Sequence, residues 1–142
     1  MKFKKTINAP QQYIFDKVIE SVLFDIERSI NRKLNAKVLQ GFEYQKVISG
    51  RDASTIKIDE VTIPSVYAFS TETPTGYYTT RWEFKNVSEA QTEIFINESM
   101  KAKSLMQVTN NFIMRAFMQQ AKKRSMQAML DKMVESYKKG GA

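Results

Sequence analysis

"SLMQVTNNFIMRAFMQQAKKRSMQAMLDKMVESYKK", residues 104–139, holds six of the chain's eight methionines and much of its positive charge. From Leu105 a seam runs through Val108, Phe112, Ala116, Gln119, Lys123, Met126, Leu130, Met133 and Tyr137. Every step is three or four residues, so the seam holds one face of a single long helix. Met106, Ile113 and Phe117 widen its first part, Gln119 and Lys123 make its middle polar, and its last part is apolar again but narrower. Two apolar patches thus flank a polar saddle. Two readings fit. In one, both patches are core and the saddle marks where the helix leaves its support. In the other, Met106, Ile113 and Phe117 roof an internal cavity, a role that suits the adaptable thioether chain. Met114, Met118 and Met129 fall off the seam, so they are expected at the surface as a candidate partner or homodimer contact.

The rest of the chain supplies what such a helix packs against. In "KFKKTIN" Phe3, Lys5 and Ile7 alternate to one side, which predicts an opening strand. "NAPQQYIFDKVIESVLFDIERSIN" then changes period: Ile14, Phe15, Val18, Ile19, Val22, Leu23, Ile26 and Ile30 form a helical stripe. Asn8 is placed to cap this helix, and Pro10 suits its first turn. "RKLNAKVLQG" reads either as a short helix or as a loop that ends at Gly41. Beyond it the period becomes two. Phe42, Tyr44 and Ile48 share a side, as do Ile56 and Ile58; "SVYAFSTET", "YYTTRWEFKNV" and "TEIFINESMKA" complete about five strands, punctuated at Gly50, Pro64, "TPTG" and "SEAQ". Short connections imply an antiparallel meander. The expected fold is α+β: a curved antiparallel sheet gripping the long C-terminal helix, in one domain over residues 1–142 with a frayed tail at 138–142. A helix of 35 residues spans about 50 Å and a nine-residue strand about 30 Å, so part of the helix is expected to overhang the sheet.

Composition narrows the chemistry. Among 142 residues, 42% hydrophobic and 26% charged, there is neither cysteine nor histidine. That excludes a disulfide framework, the usual thiolate or imidazole zinc sites, and Cys or His catalysis. No phosphate loop, nucleophile elbow or carboxylate metal cluster is readable, so neither a cofactor nor a metal is expected. No run approaches a membrane span, and "MKFKKTINAP" lacks the apolar core of a signal peptide, which makes the cytoplasm the expected location. Residues 1–100 carry 13 basic and 13 acidic side chains, whereas 101–142 carry nine basic against Asp131 and Glu135, so the net +7 sits entirely in the last segment. A solvated basic face accounts for this. Nucleic acid is not expected as a partner, because no aromatic residues interleave the lysines.

Strand parity also selects candidate inward residues. Ile94, Ile96, Glu98 and Met100 share one side of their strand, and Tyr78, Thr80, Trp82 and Phe84 one side of theirs. Glu98 therefore stands in an apolar row. Such a carboxylate acts as a general base, anchors a polar ligand group, or pairs with a Lys or Arg at the sheet rim.

In element order and in the opening "KKTINAPQQYIFDKVI", the chain resembles the START-like (SRPBCC) superfamily with its helix-grip layout. "LQGFEYQKV" and "EIFINESM" are similar to a small uncharacterised family of that superfamily from Gram-positive bacteria. The resemblance implies a cavity between sheet and terminal helix. Its relatives bind or carry lipids and other apolar molecules, cyclise polyketides, or activate chaperones, and they share no set of active-site residues. The leading expectation is a binding module for a small, mostly apolar molecule or lipid. The cavity would be walled by Phe42, Tyr44, Ile56, Ile58, Trp82, Ile96 and Met100, roofed by Met106, Ile113 and Phe117, and anchored by Glu98. The alternatives are a regulatory module that uses the outer face of the terminal helix, and a cyclase- or hydrolase-type enzyme with a buried carboxylate.

Overall fold

The computed structural model of the chain describes residues 1–47, 53–103 and 105–141, with backbone alone over 105–121 and at 141. The chain runs β1 (Lys2–Ile7), α1 (Gln11–Ile30), a single 3-10 turn (Ala36–Val38), β2 (Glu43–Val47), β3 (Ala53–Thr62), β4 (Val66–Glu72), β5 (Gly76–Ser88), β6 (Gln91–Ala102) and α2 (Leu105–Gly141). The six strands form one antiparallel sheet in the order β1-β6-β5-β4-β3-β2. Five are consecutive neighbours, as short hairpin connections dictate; β1 returns to the far edge beside β6. The sheet is curved, with register shifts between Ile58 and Glu60 and between Asn86 and Ser88. The extra residue at each irregularity bends the strand and deepens its twist.

Ile14, Phe15, Val18, Ile19, Val22 and Ile26 of the α1 stripe are all buried. Asn8 does not cap this helix. Its side chain instead accepts a 3.1 Å bond from Gln91 Nε2, and Pro10 takes the N-cap position without a side-chain bond to the first turn. Gln11 Nε2 donates to the Phe84 carbonyl at 2.7 Å, which ties the start of the helix to β5. At the other end Asn31 closes α1 in the left-handed region, φ 55°, with its N–H on the Glu27 carbonyl, a cap geometry that asparagine tolerates. The ambiguous stretch after it resolves as the 3-10 turn, capped by the Asn35 side chain on the Lys37 N–H. Gly41 follows with φ 85°, a conformation open to glycine at no steric cost, and its N–H donates to the Ile58 carbonyl at 2.7 Å. The expected side-chain row of β2 is seen for Phe42 and Tyr44; Ile48 lies outside the described residues.

The polypeptide of α2 is helical over all 37 residues and continues to Gly141, through the stretch read as a frayed tail. Its second half packs by the predicted seam. Met126 and Leu130 are buried, while Met133 and Tyr137 are half-buried against the same core. Met129, expected at the surface, is also half-buried in that core. The helix meets α1 as well as the sheet, so its covered arc is wider than one seam. Tyr13 and Tyr137 meet edge to face at 4.8 Å, and Lys5 reaches Asp131 at 2.9 Å. Met114 and Met118 fall where side chains are not described.

Leu130 is fully buried where α2 meets α1 and the sheet edge, so Leu130→Ala is expected to cost about 2–5 kcal/mol in urea unfolding. The exposed neighbour Lys132→Ala should change stability by less than about 0.5 kcal/mol.

Candidate functional site

Because strand side chains alternate, one face of each strand lines the hollow of the sheet, and cross-strand pairing sorts these residues into rows. One row runs Val61–Tyr67–Trp82–Ile96–Phe3 across β3, β4, β5, β6 and β1. The next runs from Ile58 through Phe69 and Thr80 to Glu98, with Phe42 joined to Ile58 through a 2.9 Å backbone bond. A third runs Tyr44–Ile56–Thr71–Tyr78–Met100. The candidate wall residues Phe42, Tyr44, Ile56, Ile58, Trp82, Ile96, Glu98 and Met100 all belong to these three rows. Met106, Ile113 and Phe117 fall in the part of α2 whose side chains are not described.

Cover over the rows is uneven. Tyr67, Trp82 and Ile96 are buried, and at that end α1 lies against the sheet through the Phe15–Phe84 contact at 5.3 Å. Farther along, Phe42, Phe69, Thr71, Tyr78, Glu98 and Met100 retain partial exposure. Burial is mixed along every row: Phe3 and Val61 of the first are part-exposed, while Ile58, Thr80, Tyr44 and Ile56 of the other two are buried.

Glu98 is paired. Both its oxygens accept from Lys122 Nζ of α2, at 2.5 and 2.6 Å, and Oε2 also accepts from the Thr80 hydroxyl at 3.3 Å. Of the roles open to it, the geometry shows the ion pair, which ties the middle of α2 to β6. Lys122 sits just before Lys123 in the polar saddle, so the saddle is where the helix meets a carboxylate of the sheet.

A second polar cluster was not anticipated. Asp25 interrupts the buried stripe of α1 and receives both the Tyr44 hydroxyl at 2.7 Å and Lys46 Nζ at 2.5 Å. These bonds join the helix to the edge strand β2. The available signals were Lys46, which shares the inward parity of Phe42 and Tyr44, and Asp25, which sits between Val22 and Ile26. Burial pushes the Tyr44 phenol well above its ordinary range, and the bond to Asp25 and the charge of that carboxylate push it further. The Tyr67 phenol is likewise raised, first by burial and then by the charges of Asp25 and Asp59. Among the described residues no group of three Asp or Glu side chains is placed to hold a metal ion, and no helix is long and apolar enough to cross a membrane.

Residues 1–119 match the family model described as Domain of unknown function (DUF3284). The chain belongs to that family. No curated protein matches it. Among solved structures, a protein of unknown function from Staphylococcus aureus superposes with a TM-score of 0.64 at 10% identity, covering 98% of this chain and 94% of that one. The Zhui aromatase/cyclase from Streptomyces sp. R1128 gives 0.63 at 15% identity, covering 100% and 98%. A conserved protein from Geobacillus kaustophilus gives 0.62 at 9%, covering 95% of each chain. At these identities the likeness is one of fold: the DUF3284 chain has the START-like helix-grip architecture.

Both raised phenols have folded values above the ordinary 10.0. The stability they confer is therefore complete below pH 10 and is lost as pH climbs towards the folded values. Urea unfolding should show a stability that starts to fall above about pH 10. The double variant Tyr44→Phe/Tyr67→Phe should flatten that decline.

Proposed function

We propose that this DUF3284 protein binds a small, mostly apolar molecule between the inner face of the sheet and the first half of α2. The observation that carries this reading is the uneven cover of the three rows. Phe42, Phe69, Tyr78 and Met100 are large apolar or aromatic side chains on a concave surface, yet they stay part-open. Binding sites for small molecules are concave and mostly apolar, with a few placed polar groups. The fold shared with an aromatase/cyclase supports the same region without fixing the chemistry. With both oxygens of Glu98 engaged by Lys122, the carboxylate serves as a strut rather than a general base, which favours binding over catalysis.

A second reading, a docking surface on the outside of α2, has one observation behind it. An open groove of about 800 Å³ runs between α1 and α2, lined by Phe24, Met129 and Met133 among others, and Phe24 is 60% exposed. A mass that rises with concentration in size-exclusion chromatography would favour this groove as a homodimer contact.

Native mass spectrometry of the purified chain, followed by thermal-shift titration with apolar and aromatic compounds, tests the first reading. A bound molecule at saturating excess is expected to raise the melting temperature, because about 100-fold excess over Kd adds about 2.7 kcal/mol. Met100→Trp, which adds bulk among the part-open side chains, should keep the fold and weaken binding at least about tenfold, or about 1.4 kcal/mol. Absence of any retained molecule and of any shift would contradict the reading.

A further inference from the structure

Tyr67 and Trp82 stand directly opposite each other on β4 and β5, on the inner face. They are 5% and 6% exposed. Each carries a polar hydrogen at the edge of its ring, yet neither the Tyr67 hydroxyl nor the Trp82 indole N–H has a hydrogen-bond partner among the described residues. Buried tyrosine and tryptophan ordinarily find such a partner, because a buried donor left unmade is costly. The contrast within the same core is instructive. Tyr44 spends its hydroxyl on Asp25, Thr80 on Glu98, and the fully buried Thr92 on the Ala9 carbonyl at 2.8 Å. Among the described residues the buried hydroxyl of Ser54 also lacks a partner, but Tyr67 and Trp82 differ from it in facing each other across β4 and β5.

We infer that the Tyr67 hydroxyl and the Trp82 indole N–H form the hydrogen-bonding anchor for the bound molecule, and that the group they hold is a neutral acceptor such as a ketone, ester or ether oxygen. This rests on the binding reading above. Two donors call for an acceptor, since the indole has no lone pair to offer. Neutrality follows from the surroundings. The surface is desolvated, which penalises any charge placed there. Lys46 is held by Asp25 and Lys122 by Glu98, Arg32 lies over the ring of Phe42, and the charges that act on the Tyr67 hydroxyl are the carboxylates of Asp25 and Asp59, which oppose a ligand carboxylate there. The aromatic neighbours Phe69, stacked on Tyr67 at 5.4 Å, and Phe84, stacked on Trp82 at 6.0 Å, keep both rings fixed. The anchor is therefore preorganised, and its specificity comes from leaving two donors unpaired when a ligand lacks the acceptor.

The test uses the full chain and three probes of matched shape: 2-acetylnaphthalene, 2-ethylnaphthalene and 2-naphthoate. Calorimetric titration is expected to show the ketone binding about tenfold or more tighter than the hydrocarbon, with the carboxylate weaker than the ketone. Tyr67→Phe should remove most of the ketone's advantage and leave the hydrocarbon's affinity unchanged. Without ligand, Tyr67→Phe should raise the melting temperature by about 2–4 °C, because an unpaired buried hydroxyl is removed. Trp82→Phe should weaken ketone binding in the same direction. Equal binding of ketone and hydrocarbon would overturn the anchor while leaving the binding reading intact. A preference for the carboxylate would overturn the neutral assignment. A Tyr67→Phe protein that melts lower and keeps its ketone preference would show that the hydroxyl serves the fold. If none of the probes binds, the anchor falls, and the compound library and Met100→Trp decide the binding reading separately.

Discussion

A bent antiparallel sheet with an apolar hollow cannot stand alone in water, and everything else in this chain follows from covering that hollow. Six strands bring three rows of inward side chains together, and the rows are too wide for one helix to cover. The chain uses two. One cover is α1, whose buried stripe meets Phe84 and whose Asp25 takes hydrogens from Tyr44 and Lys46. The other cover is α2, fixed in its second half by Leu130 and its neighbours and at its polar saddle by the pair between Lys122 and Glu98. The apolar term supplies the driving force. Two part-exposed ion pairs, Asp25 with Lys46 and Lys122 with Glu98, tie each helix to a strand of the sheet.

Much of this was legible in the sequence because it is periodic. The two-residue alternation in β5 and β6 selected Thr80, Trp82, Phe84, Ile94 and Ile96, which are buried, and Tyr78, Glu98 and Met100, which stay part-exposed. The three-and-four spacing in α1 selected its whole buried stripe, and the seam through Met126, Leu130, Met133 and Tyr137 named the packed side of the second half of α2. What escaped depends on distant parts of the chain meeting. Asn8 has the right chemistry for a cap, but the β5–β6 hairpin offers it Gln91, and a local rule cannot see a partner 83 residues away. Met129 is off the seam, yet α1 lies beside α2 and covers it. Asp25 and Lys46 become a pair only when the helix is laid against β2.

The candidate site was legible as a face and not as a set of contacts. Parity names which residues look inward, and it names Glu98 among them, but it cannot say that Lys122 would take both oxygens. Nor does it distinguish Tyr44, whose hydroxyl bonds Asp25, from Tyr67, whose hydroxyl has no partner among the described residues. That distinction comes from three-dimensional pairing alone. The helix-grip fold hosts proteins with different tasks, so what this DUF3284 chain does rests on such local differences rather than on the architecture.

The chain has a single tryptophan, and it lies on the inner face in the row that would touch a bound molecule. Trp82 emission is therefore the most direct reporter of where a ligand sits. Titration with a brominated long-chain alcohol should quench that emission through close contact with the heavy atom, while the unbrominated parent binds with the same affinity and quenches little. Binding of both alcohols with Trp82 emission untouched would place the ligand elsewhere, such as the groove between α1 and α2, and would contradict a site in the hollow of the sheet.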